Sequence, residues 1–179
     1  TLSQDEIKHL QLARLKEKVA YVCENNGIIK AMFDKKAIAA EDIKSLADIE
    51  KLPMMDKALL RDCYPLKLSC VDTSLIKEIH TSSGSTGTPV VMPYTAADLA
   101  QWAECMARCY YMAGARENDV AQITPSFGLF NGGFGMYHGA RAAGLFVIPA
   151  GAGNTERQIK LADDFKTRVL TGVVSYGIR

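Results

Sequence analysis

Hydroxyl-bearing residues and glycine crowd into one short stretch, Thr81-Ser82-Ser83-Gly84-Ser85-Thr86-Gly87-Thr88-Pro89. Nothing in it can build a hydrophobic core. It offers backbone N–H groups and hydroxyl donors, with two glycines where a ligand could approach the backbone closely. Successive N–H groups in such a turn form an anion-binding concavity suited to the oxygens of a phosphate. A flexible polar linker has a similar composition. The flanks decide between the two readings. Ile76, Glu78 and Ile79 precede the stretch and Val90-Val91-Met92 follows it, so it reads as a turn between strands. It is not a Walker A loop, because Thr88-Pro89 stands where Lys-Ser/Thr is required. Nor is it a dinucleotide fingerprint, since no helix begins directly behind it.

The elements that must position this loop can be read on both sides of it. Ser3 with Glu6 is a capping-box signature. It opens a helix through Leu15 and Val19 to Asn25-Asn26-Gly27. A shorter helix is expected at Ile28–Phe33, and another at Ala40–Ile49, stopped by Leu52-Pro53. Asp56 reads as the N-cap of Lys57–Asp62. Residues 1–72 are therefore expected to form a small helical appendage. From residue 73 to 179 the pattern becomes strand–helix–strand. Strands are expected at Ile76–His80, Val90–Pro93, Asp119–Thr124, Leu145–Pro149 and Val169–Val174. Helices run from the cap Thr95 to Gly114, from Gly132 to Ala143, and from Asn154 to Phe165. The fold class is α/β, a mostly parallel sheet flanked by helices. Ligands on such sheets sit at the carboxyl ends of strands, where the loops at residues 81–89 and 125–133 belong.

Composition sets limits on partners. The chain has 179 residues, 48% apolar and 23% charged, with a formal net charge of +1. That is ordinary for a globular protein and gives no reason to expect nucleic acid or an anionic membrane as partner. No apolar run approaches the length needed to cross a bilayer, and the polar, acidic start is unlike a signal peptide. A cytoplasmic address is expected. The five cysteines are widely spaced, which favours free thiols. Cys105 and Cys109 share one face of a helix and are expected to be buried small hydrophobes, with no metal among them. Trp102 and Met106 are read as core, and His138 as either a packed core histidine or a substrate contact.

The loop resembles the phosphate-binding loop of the adenylate-forming superfamily, with its Ser/Thr-Gly-Ser/Thr-Thr-Gly-x-Pro pattern. Its neighbourhood narrows the likeness. Ile79–Pro89 with Tyr94-Thr95, Asp98 and Trp102-Ala103 is similar to the phenylacetate–coenzyme A ligase family. So are Phe127-Gly128-Leu129-Phe130-Asn131-Gly132-Gly133-Phe134-Gly135, His138-Gly139-Ala140, Val147-Ile148-Pro149, Thr155–Gln158, and the segment from Leu52 to Pro65.

That resemblance implies a two-step reaction with ATP, magnesium and coenzyme A. A small-molecule carboxylic acid attacks the α-phosphate of ATP, and the thiol of coenzyme A then displaces AMP from the acyl-adenylate. In this scheme Ser82, Ser83, Gly84, Ser85, Thr86, Gly87 and Thr88 hold the β- and γ-phosphates. Related loops carry a lysine in or just after the motif, where this chain has Thr88 and Val90. The missing cation would come from Lys57 or from magnesium. Phe127, Phe130 and Gly132 are candidates for the acid pocket, two aromatic faces and a site of close backbone approach. No catalytic residue is assigned in this portion. The adenine and magnesium motif, the ribose-binding aspartate and the mobile C-terminal domain of the superfamily have no counterpart in the sequence. Tyr176-Gly177-Ile178-Arg179 begins like the first of these but lacks Thr-Glu. The chain is accordingly expected to be the N-terminal portion of a ligase, inactive alone. Two other readings stay open: transfer of AMP to a deazaflavin cofactor, and a non-catalytic nucleotide-binding module. Exposed strand edges also leave a homodimer open.

Overall fold

The computed structural model describes residues 2–82 and 87–177, apart from the side chain of Tyr176. The chain divides into two compact units, residues 1–74 and 75–179. Among the described residues no helix is long and apolar enough to cross a membrane.

The first unit is built on local polar signals. Helix α1 (Gln4–Asn25) starts in the capping box, with Ser3 Oγ accepting from Glu6 N and Glu6 Oε2 accepting from Ser3 N. Asn26 ends α1 and caps α2 (Gly27–Lys35), its side-chain oxygen accepting from the N–H groups of Ile28 and Ile29, each at 3.1 Å. Its amide nitrogen donates to the carbonyls of Lys67 and Ser69, so all of this buried amide is used. Val19, Ile29, Phe33 and Ile43 form the core beneath. Helix α3 (Lys57–Asp62) is capped by Asp56, whose carboxylate accepts from Leu59 N at 2.8 Å.

The helix expected at Ala40–Ile49 does not form. Two short 3₁₀ turns, Ala40–Asp42 and Leu46–Lys51, replace it, with Ile43 extended between them. The cause is Asp48. Its carboxylate accepts from Lys44 N at 2.9 Å, Ser45 N at 2.7 Å and Ser45 Oγ at 3.0 Å. An acidic side chain that captures backbone N–H groups three and four residues back competes with the helical ladder. The bonded Lys51 ammonium and these N–H groups hold the Asp48 carboxyl far below its ordinary range.

In the second unit, β1 (Ile76–Thr81) and β2 (Val91–Thr95) pair antiparallel as a hairpin, with Thr81 opposite Val91. Thr95 and Asp98 then form a capping box that starts α4 (Ala96–Met112). Strand β3 (Val120–Ile123) is the centre of a separate parallel sheet of order β4-β3-β5, where β4 is Phe146–Ile148 and β5 is Val169–Thr171. Helix α5 (Gly132–Ala142) connects β3 to β4, and α6 (Thr155–Asp164) connects β4 to β5. The α/β reading holds, with the parallel strands supplied by the later part of the chain.

Two details depart from expectation. The last strand stops at Thr171 rather than Val174, and a short helix α7 (Val174–Gly177) follows. Thr124 takes the Thr171 carbonyl with both its N–H (3.0 Å) and its hydroxyl (2.8 Å), and it occupies the space a Gly172 Cβ would need. The ladder therefore ends where β3 ends. Cys105 and Cys109 are exposed, not buried. The inward seam of α4 runs through Trp102, Met106 and Tyr110 at four-residue spacing, and the cysteines lie one position off it.

That seam meets α5 closely. Gly135 lies against the Trp102 ring and Gly139 against Met106, with no room for a Cβ at either position. Below, Tyr110, Ala121, Ile123, Ala140 and Leu145 form the core of the second unit. The small-residue pattern of α5 is thus a packing device.

Candidate functional site

Three loops meet at the carboxyl ends of β1, β3 and β4. The first, residues 82–90, is closed at its neck by Ser82 N donating to Val90 O and Val90 N donating to Ser82 Oγ, both at 3.0 Å. The Ser82 hydroxyl is therefore engaged in holding the turn. Gly87 has φ +119°, a conformation that side-chain-bearing residues rarely adopt, and open space beside it. Gly87 and Thr88 are exposed. Ser83, Gly84, Ser85 and Thr86 lie outside the described residues, as do Ile178 and Arg179.

The second loop, residues 124–131, is tied to the first. Thr81 N donates to the Leu129 carbonyl at 2.7 Å. Phe127 is half-buried and meets Phe134 and Tyr137 edge-on, with centroids 5.4 and 6.2 Å apart. Phe130 is 64% exposed at the loop tip, and its ring stands 3.4 Å from where a Gly132 Cβ would be. The third loop, residues 149–154, closes the group. Gly151 N donates to Ile123 O at 2.9 Å, and the Phe127 ring lies beside Gly151. Buried Gln122 and Gln158 hold this loop, Gln158 Nε2 donating to the Gly151 carbonyl.

The structure thus brings Ser82, Gly87, Phe127, Phe130 and Gly132 to one end of the second unit. Lys57 is in the first unit, exposed at the first position of α3.

Sequence reasoning passed over a polar cluster behind these loops. Glu78 and His80 alternate on the inward face of β1 while Ile79 points outward, 45% exposed. His80 is 1% exposed, with Nε2 2.6 Å from Glu78 Oε1 and Nδ1 3.2 Å from the Leu129 carbonyl. His138 of α5, half-buried, brings its Nε2 to 3.3 Å from Glu78 Oε2. Tyr94, Trp102 and Phe134 enclose the His80 ring, each centroid 5.6 Å away. The signal was the spacing Glu78-x-His80 directly before the loop, which puts both side chains on one strand face. Its partner His138 comes from 60 residues away. Among the described residues no group of three or more His, Cys, Asp or Glu could hold a metal ion.

No protein-family model matches the chain. It is 41% identical over 174 residues to the phenylacetate-coenzyme A ligase of Aromatoleum evansii. It is 38% identical over 176 residues to that of Thermus thermophilus, and 37% over 176 residues to that of Escherichia coli. These matches take in 97–98% of this chain and 40% of each relative. Among solved structures, 2-hydroxyisobutyryl-CoA ligase in complex with 2-HIB-AMP and CoA superimposes with a TM-score of 0.93 at 28% identity. That match covers 99% of this chain and 39% of the ligase. An open conformation of the same ligase gives 0.91 at 27% identity. The chain is thus similar in sequence to proteins named phenylacetate-coenzyme A ligase and in fold to 2-hydroxyisobutyryl-CoA ligase, and it spans about two fifths of their length.

Proposed function

We propose that this chain is the N-terminal portion of an ATP-dependent ligase that activates an aryl or arylacetic acid as its acyl-adenylate and passes the acyl group to coenzyme A. One observation carries the reading: 35–41% identity, over nearly the whole chain, to curated proteins named phenylacetate-coenzyme A ligase. The meeting of a glycine- and hydroxyl-rich turn with an aromatic loop at one end of the second unit supports it.

In the first step a carboxylate oxygen of the acid attacks the α-phosphorus of ATP, and the bond to the β-phosphate breaks, releasing pyrophosphate. The 82–90 turn stabilises the charge that develops on this leaving group, through backbone N–H groups and the Thr88 hydroxyl. The ends of the turn are held together by the Ser82–Val90 neck. In the second step the coenzyme A thiolate attacks the acyl carbon and AMP leaves. Phe127, Phe130 and Gly132 form one wall of the acid site, Phe127 fixed by its ring neighbours and Phe130 open to an incoming aromatic face. Lys57, exposed at the start of α3 in the first unit, is kept as the candidate for the missing cation. Magnesium would enter with the nucleotide.

The test is product formation by the full-length protein from ATP, coenzyme A and a panel of acids. Phenylacetate or a close aryl acid yields AMP and a thioester in equal amounts. Absence of acid-dependent AMP from folded protein refutes the reading.

A further inference from the structure

We propose that His80 is a positioning residue that locks the aromatic loop to the strand leading into the phosphate turn, so that the two halves of the site keep one register. This rests on the ligase reading for its consequence in activity, and on geometry alone for the lock.

The geometry fixes the proton on His80. The Leu129 carbonyl can only accept, so Nδ1 carries a hydrogen and donates to it. Nε2 lies 2.6 Å from Glu78 Oε1, and the second Glu78 oxygen meets Nε2 of His138. Both ring nitrogens are thus engaged, which fixes the orientation of the imidazole. Three aromatic rings, Tyr94, Trp102 and Phe134, hold the imidazole plane.

Leu129 is the point where this matters. Its carbonyl accepts from two donors, Thr81 N–H and His80 Nδ1–H, on adjacent residues of β1. The side chains of Leu129 and Phe130 are 61% and 64% exposed, so burial does not anchor the loop tip. The backbone carbonyl does. Thr81 is also the residue before Ser82, whose hydroxyl closes the phosphate turn. The link from acid loop to phosphate turn is therefore two residues long.

Two variants separate the lock from packing. His80→Asn keeps an N–H near the Nδ1 position but falls short of Glu78, whereas His80→Gln reaches Glu78 and loses the Leu129 bond. In the full-length protein, amide hydrogen exchange at Thr81 and residues 127–131 should rise about tenfold in His80→Gln and stay within about threefold in His80→Asn. The KM for the acid should rise about tenfold in His80→Gln, with kcat nearly unchanged, and remain near normal in His80→Asn. Equal changes in both variants that track a loss of thermal stability, or no change in either, would overturn the proposal. If neither variant folds, Glu78→Leu against Glu78→Gln serves the same purpose: the leucine loosens the loop and the glutamine does not, and the reverse or no difference overturns it. If the exchange pattern appears but the normal protein shows no acid-dependent AMP formation, the ligase reading fails and the lock stands. If the protein is active and the pattern is absent, the lock fails alone.

Discussion

Gly139 of α5 stands against Met106 of α4 so closely that a Cβ on the glycine would collide with the methionine Cβ and backbone. One turn earlier, Gly135 faces the Trp102 ring in the same way. The two contacts look alike and differ in what could relieve them.

Gly135→Ala and Gly139→Ala should each destabilise the protein by about 1–3 kcal/mol, the usual cost of overpacking. Shrinking the partner distinguishes them. Trp102→Leu should offset part of the Gly135→Ala loss, because the conflict there is with ring atoms. Met106→Ala should not rescue Gly139→Ala, because alanine keeps the Cβ that is in the way. Denaturation of the four single and two double variants reads both couplings.

Asp48 gives a pH prediction for the first unit. Its carboxyl is held low in the folded state by Lys51 and by the N–H groups of Lys44 and Ser45. A depressed folded value means the stabilisation is fully present above the unfolded value of about 4 and is lost as pH falls below it toward the folded value. Acid titration of unfolding should show this fall, and Asp48→Asn should flatten it while lowering stability at neutral pH. An unchanged acid limb in the variant would remove Asp48 as its source.

Phe130 separates function from packing because its side chain is largely exposed. Phe130→Ala should change stability by no more than about 0.5 kcal/mol, as surface substitutions do. The preference among acids should nonetheless shift, with aryl acids losing about tenfold in kcat/KM relative to short aliphatic ones. A substrate panel with an unchanged ranking would take Phe130 out of the acid site.

Lys57 is the proposed cation for a loop, Thr81–Val90, that has no lysine of its own. Lys57→Ala should raise the KM for ATP about tenfold or more, beyond any loss of stability. Unchanged kinetics would leave Lys57 a first-turn surface residue of α3.

Much of this fold was legible because it is written in local signals. Ser3 with Glu6, Asp56, Thr95 with Asp98, and Asn154 each mark a helix start, and each caps as its side-chain chemistry requires. The segment after Ala40 was misread because apolar spacing was weighed without Asp48, whose carboxylate takes the N–H groups a helix would use. Cys105 and Cys109 were misread because the α4 seam is set by its partner helix, through Gly135 and Gly139 some thirty residues on. The same limit hid the Glu78–His80–His138 cluster. Alternation in β1 gave no reason to turn the polar residues inward until α5 supplied a histidine to meet them. Of the candidate site, the hydroxyl-rich turn and the aromatic loop could be located from residue types. Their junction at the Leu129 carbonyl could not, since it is a backbone contact across 48 residues.

The central claim is that the 82–90 turn and the aromatic loop serve one acyl-adenylate site. Acid-driven exchange of labelled pyrophosphate into ATP, measured on the full-length protein, tests it most directly. The prediction is exchange that requires phenylacetate or a related aryl acid, does not require coenzyme A, and falls about tenfold or more in Gly87→Val, where the left-handed backbone would be strained. Exchange independent of any acid, or none at all from folded protein, would contradict it.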